Sequence, residues 1–114
     1  MSSTDLLDAS AVLAVPGGMI SALNLAEVFN KLIQRGVPKK AAVDVTHALN
    51  LQVIPFDRAE ALHSADFVHP GVSLGDRACL GTARMHHLRA VTADSRWRDI
   101  RANVKVHVFR RPKT

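Results

Sequence analysis

Four short apolar runs in this chain each close on or just before an acidic residue: Leu6-Leu7-Asp8, Ile20 to Glu27, Val72 to Asp76, and Val91-Thr92-Ala93-Asp94. Runs this brief, separated by segments of helical periodicity, describe strands and helices in alternation. Alternation of that kind leads to a mostly parallel sheet covered by helices on both faces. In such a sheet the side chains at the carboxyl ends of strands, and at the helix starts beyond them, meet in one crevice. Four carboxylates are thereby placed to share one site.

The elements can be read in order. Leu6 to Asp8, extending back toward Thr4, is a short buried strand, and Ala-rich residues Ala9 to Val15 have room for two helical turns before Pro16-Gly17-Gly18 stops them. Met19 to Ala22 is a second brief strand. Leu25, Val28, Phe29, Leu32 and Ile33 then follow i, i+3, i+4, i+7, i+8, an amphipathic helix stopped by Gly36. Pro38 opens a second helix with Ala41, Ala42, Val45, Ala48 and Leu49 on one side. Leu51 to Phe56 reads as a strand, Arg58 to Phe67 as a helix, Ser73 to about His87 as another helix with Asp76 at its third position. Arg89 to Ala93 is a strand, Ser95 to Ile100 a helical turn around Trp97, and Val104 to Phe109 a last alternating strand.

With 114 residues, 47% of them hydrophobic, residues 1–114 are expected to form one compact domain with its own core. Fifteen Lys and Arg against 10 Asp and Glu leave a net charge of +5, which favours an anionic partner such as nucleic acid. A solvated positive face accounts for the same charge without a partner. Cys79 stands alone, so no intrachain disulfide forms, and its setting among Ala78, Leu80 and Ala83 is that of a buried small apolar residue. No apolar run approaches the roughly 18 residues of a membrane span, and the start of the chain lacks a basic leader. A cytoplasmic location is expected. His47, His63, His69, His86, His87 and His107 show no zinc spacing, and neither GxGxxG nor a P-loop occurs. Four Phe, one Trp and no Tyr argue against a base-stacking platform.

Each acid taken singly has a structural explanation. Asn24 to Glu27 and Ser73 to Asp76 both fit a loose capping box, and Asp8 and Asp94 are placed to cap the helices after them. Their shared position at one end of the proposed sheet favours a joint role. Glu27 also lies opposite the stripe of Leu25, Val28, Phe29 and Ile33, which leaves it free to face a cleft. Asp5, Asp44, Asp57, Glu60, Asp66 and Asp99 have ordinary solvent-facing options. A cluster of like charges calls for a cation, and an all-carboxylate set suits a hard divalent ion, Mg²⁺ or Mn²⁺. Metal-assisted phosphodiester hydrolysis is the chemistry such a site offers. Arg77, Arg96 and Arg98, close in sequence to Asp76 and Asp94, are candidates for flanking phosphates.

The segments Leu7-Asp8-Ala9-Ser10, Ile20-Ser21-Ala22-Leu23-Asn24-Leu25-Ala26-Glu27-Val28, Ser73-Leu74-Gly75-Asp76-Arg77-Ala78-Cys79-Leu80 and Val91-Thr92-Ala93-Asp94 with Trp97 resemble the successive signatures of PIN-domain ribonucleases, in particular bacterial VapC-type toxins. The resemblance covers nearly the whole chain. It implies a three-layer α/β PIN-like domain, a Mg²⁺- or Mn²⁺-dependent endoribonuclease with RNA as substrate, a cognate antitoxin partner and a homodimer. Asp8, Glu27, Asp76 and Asp94 match the family's acidic positions, and Ser10 and Thr92 match positions beside the metal. On this reading Asp8, Asp76 and Asp94 hold metal while Glu27 holds a second ion or orients water. The interval between Asp8 and Glu27 is shorter than the family's. Only Ala9 to Gly18 connect the first two strands, where a parallel crossover takes at least about 10 to 12 residues. Three outcomes are consistent with so short a link: a trimmed competent domain, exchange of elements with a second copy, or a relative that binds without cutting. The alternative to the enzyme is therefore a catalytically impaired PIN-like binding module. A phosphoacceptor or nucleotide-binding domain lacks its expected loop.

Overall fold

The computed structural model describes residues 5–9, 11, 17–99 and 104–109, without the side chains of 98 and 99. In chain order the strands are β1 (Asp5–Leu7), β2 (Met19–Ser21), β3 (Gln52–Ile54), β4 (Arg89–Thr92) and β5 (Val106–Val108). The helices are α1 (Ala22–Gln34), α2 (Lys39–Ala48), α3 (Arg58–Ala65) and α4 (Leu74–Met85), with a 3₁₀ turn over Ser95–Asp99. The strands join in the order β3-β2-β1-β4-β5, and every pair in that sheet is parallel.

The middle strand explains why the sheet has two covered faces. Successive side chains on a strand point opposite ways. Leu6 packs on one side with Cys79, Leu80 and Ala83 of α4 and with Phe67, Ala90 and Trp97. Leu7 packs on the other with Ala11, Val91, Leu51 and Phe109. Both leucines are fully buried, as a three-layer α/β domain requires.

The strands on either side of the short first interval lie next to each other: Leu6 pairs with Met19 and Leu7 with Ile20, in parallel. Most of the helix expected over Ala9 to Val15, Ser10 included, lies outside the described residues. Ala11 is buried, and its N–H donates to the Asp8 carbonyl at 3.1 Å.

Helix α1 departs from its sequence pattern in two ways. It begins three residues earlier than its apolar stripe, because Ser21 caps it, the Leu23 N–H donating to Ser21 Oγ at 3.2 Å. Asn24 is thus inside the first turn, and the capping box proposed for Asn24 to Glu27 is incorrect. The stripe, moreover, is not the core contact. Leu25, Val28, Phe29 and Leu32 are only half-buried and Ile33 is 46% exposed, whereas Asn24 is 1% exposed. Leu25 and Phe29 instead line an apolar groove of about 270 Å³ with Val43, Leu51 and Val53, on the side of α2 and β3.

Two acids expected at the surface are buried. Asp5 in β1 faces its register partner Arg89 in β4, which donates to both of its oxygens at 2.9 and 3.0 Å. Glu60 of α3 accepts from the Asp57 N–H at 3.0 Å and lies 2.9 Å from His86 Nε2. This pairing holds the Glu60 carboxyl below its usual range. Gly81, unfavourable inside a helix by about 1 kcal/mol relative to Ala, has a reason to be there. A Cβ at that position would lie 2.6 Å from Ser64 Cα and 2.7 Å from Ser64 Oγ, so α3 and α4 touch backbone to backbone.

Candidate active site

Adjacent strands deliver the first two carboxylates. Asp8 directly follows β1, its N–H continuing the ladder to the Val91 carbonyl at 3.0 Å. Thr92, the last residue of β4 and fully buried, donates its hydroxyl to Asp8 Oδ2 at 2.6 Å and accepts the Asp94 N–H at 3.0 Å. One hydroxyl thereby ties Asp8 to Asp94. Its single proton goes to the Asp8 carboxylate.

Helix starts deliver the other two. Ser73 caps α4, accepting the Asp76 N–H at 3.1 Å, and the Ser73 N–H donates to Asp76 Oδ2 at 3.3 Å. The capping box read at Ser73 to Asp76 is therefore present, and it fixes Asp76 at the mouth of the helix. On α1, Asn24 Nδ2 donates to Glu27 Oε1 at 2.9 Å and to the Gly75 carbonyl at 3.0 Å. Gly75 has no side chain where the Glu27 carboxyl lies; a Cβ there would overlap it.

All four acids line one cavity of about 370 Å³, together with Lys31, Arg96 and the small residues Ala9, Gly71, Ser73 and Ala93. Two other groups register the same convergence electrostatically. The buried Cys79 thiol is pushed well above its usual pKa, first by burial and then by the charges of Asp8, Asp76 and Glu27. Arg96 is raised by Asp94, chiefly through their hydrogen bonds, and further by Asp76. Asp94 in turn is held below the ordinary carboxylate range, mainly by Arg96.

Arg96 does more than flank the site. Its Nε lies 3.0 Å from both Asp94 oxygens and its Nη2 2.6 Å from Oδ2, so the guanidinium occupies a cation's place at that carboxylate. The Arg96 N–H also donates to Asp94 Oδ1 at 2.9 Å, which makes Asp94 a cap of the 3₁₀ turn as its position suggested. Arg77 is not on the cavity wall; its Nε donates to the Ser73 carbonyl at 3.4 Å. Ser10 and the Arg98 side chain lie outside the described residues. Lys31, Asn24 and Gly75 escaped sequence reasoning, although Lys31 follows Glu27 by one helical turn, a spacing that puts both on one face.

The donor set suits a hard cation, since the cavity offers carboxylate oxygens and neither thiolate nor imidazole. Among the described residues, no three of His, Cys, Asp or Glu yet stand in a metal-holding arrangement. Each carboxylate but Asp8 is turned toward its restraint on its own element: Glu27 to Asn24, Asp76 to Ser73, Asp94 to Arg96.

Comparison with known proteins agrees with this architecture. The sequence model of the PIN domain matches residues 3–103. No curated protein matches the chain. Among solved structures, a chain of the DNA-bound VapBC from Salmonella typhimurium is similar with a TM-score of 0.71 at 18% identity, covering 94% of this chain and 98% of that one. A chain of a toxin–antitoxin complex from Klebsiella pneumoniae gives 0.65 at 19% identity, covering 87% and 92%. VapBC2 from Rickettsia felis, bound to a fragment of its promoter DNA, gives 0.68 at 14%, covering 91% and 97%. At such identities the likeness is one of fold.

Proposed function

This chain belongs to the PIN-domain family, and from that premise we propose that it is a Mg²⁺- or Mn²⁺-dependent endoribonuclease, the toxin half of a toxin–antitoxin pair. The observation that carries the reading is the convergence of Asp8, Glu27, Asp76 and Asp94 on one cavity. A divalent ion bound there would lower the pKa of a water and offset charge building on the phosphate. Asp8, Asp76 and Asp94 would hold the ion. Glu27, from the helix side, would orient the attacking water or hold a second ion. Lys31 and Arg96 on the cavity wall, with Arg77 and Arg98 nearby in sequence, would receive the flanking phosphates of RNA, and the net charge of +5 supports an anionic substrate.

The solved structures of similar fold are described as toxin–antitoxin assemblies, and the apolar groove beside α1, lined by Leu25, Phe29 and the exposed Val53, supports a protein partner or a homodimer contact. No described helix is long and apolar enough to cross a membrane; a cytoplasmic site of action fits the reading. One observation favours the second reading, a binding module without cutting: Arg96 already neutralises Asp94.

The two separate in one assay. Structured RNA incubated with the purified protein and Mn²⁺ is expected to be cut, cleavage stopping with a chelator and falling on the order of 100-fold in Asp8→Asn and Asp76→Asn. Cutting that both variants retain would reject the site. Mn²⁺ binding without any cutting would select the binding module.

A further inference from the structure

We infer that Asn24 and Gly75 form a positioning pair that sets the Glu27 carboxyl toward the cavity before any ion arrives. This rests on the metal-site reading above. Glu27 sits on α1 and carries a long side chain whose fixing costs conformational entropy. Asn24, one turn earlier on the same face, is 1% exposed and gives one donor bond to Glu27 Oε1 at 2.9 Å and one to the Gly75 carbonyl at 3.0 Å. The second bond spans 51 residues and clasps α1 to the first turn of α4, the helix that carries Asp76.

The rest of the amide argues against a purely structural role. Asn24 Oδ1 is buried without a hydrogen-bond partner, a desolvation cost that an apolar side chain of similar size would not carry. What an apolar residue lacks is the donor that holds Glu27. Gly75 completes the cradle from the other helix, because any side chain there would overlap the Glu27 carboxyl. A neutral donor also restrains the carboxylate without cancelling its charge, so the group stays available to a cation.

A double-mutant cycle read by calorimetric Mn²⁺ binding tests this. Asn24→Leu is expected to weaken Mn²⁺ about 10-fold in the native background, the scale of losing a partner that orients a ligand. In the Glu27→Gln background the same change should cost less than about twofold, since there is no carboxylate left to position; a packing defect would weaken both backgrounds alike. Gly75→Ala, which crowds the Glu27 carboxyl from the other helix, is run through the same cycle and carries the test should Asn24→Leu fail to fold by circular dichroism. Equal losses in both backgrounds, or no loss in either, overturn the inference. Asp8→Asn and Glu27→Gln distinguish its failure from that of the metal reading: if both leave Mn²⁺ affinity unchanged the metal reading falls and takes this inference with it, whereas if both weaken binding and the cycle is additive, the inference falls alone.

Discussion

Glu27 and Asp94 line the same cavity under two different kinds of restraint. Glu27 is held by a buried neutral amide, Asn24, anchored in turn on the backbone of another helix. Asp94 is held by Arg96, two residues away, whose side chain is 70% exposed. The amide fixes a direction and leaves the charge; the guanidinium satisfies the charge and is itself loosely fixed, because exposed ion pairs contribute little and release readily. The helix wall of the site is therefore set in advance, while the strand wall carries an exchangeable internal counter-ion. Asp94 thus carries a cationic partner in direct hydrogen-bonded contact, whereas the donor held against Glu27 is neutral.

Removing that cationic partner should produce the largest effect on this contrast. Arg96→Ala is expected to tighten Mn²⁺ binding about fivefold at low salt, with Arg96→Lys intermediate, measured by the same calorimetry; unchanged affinity would mean the guanidinium does not compete. A smaller effect is predicted from ionic strength. Raising salt from about 50 to 500 mM shortens the screening length several-fold, so the gap between Arg96→Ala and the native chain should narrow, while the deficit of Asn24→Leu persists. The smallest is a titration. Asp94 is held below its ordinary value of 3.8 by Arg96, so its stabilising contribution is complete above that value and is lost as pH falls through the lowered one. Arg96→Ala should move the Asp94 carboxyl resonance to titrate at higher pH and bring the onset of acid unfolding slightly upward; coincident titration curves would break the comparison from its weaker side.

The acids themselves were legible because their positions follow from chain order. A residue that ends a strand or opens a helix in a parallel sheet lies at the same edge as its counterparts, whatever the packing, and Asp8, Glu27, Asp76 and Asp94 obey that rule. Their restraints were not. Asn24 looks like a cap because Asn caps helices, and its real partner, the Gly75 carbonyl, lies 51 residues further along the chain. The apolar stripe of α1 points to a core that the fold places elsewhere, since α1 turns its polar face, through Asn24, toward α4. Asp5 and Glu60 escaped for the same reason: Arg89 and His86, which make their burial tolerable, come from other elements. Gly81, at first only an unfavourable helical residue, is explained once Ser64 is seen against it.

Thr92 sits between Asp8 and Asp94, and its two hydrogen bonds join residues separated by most of the length of the polypeptide. A nascent chain leaving the ribosome therefore cannot assemble the cavity from its first acid alone: Asp8 waits for synthesis to pass Asp94 and for β4 to dock beside β1.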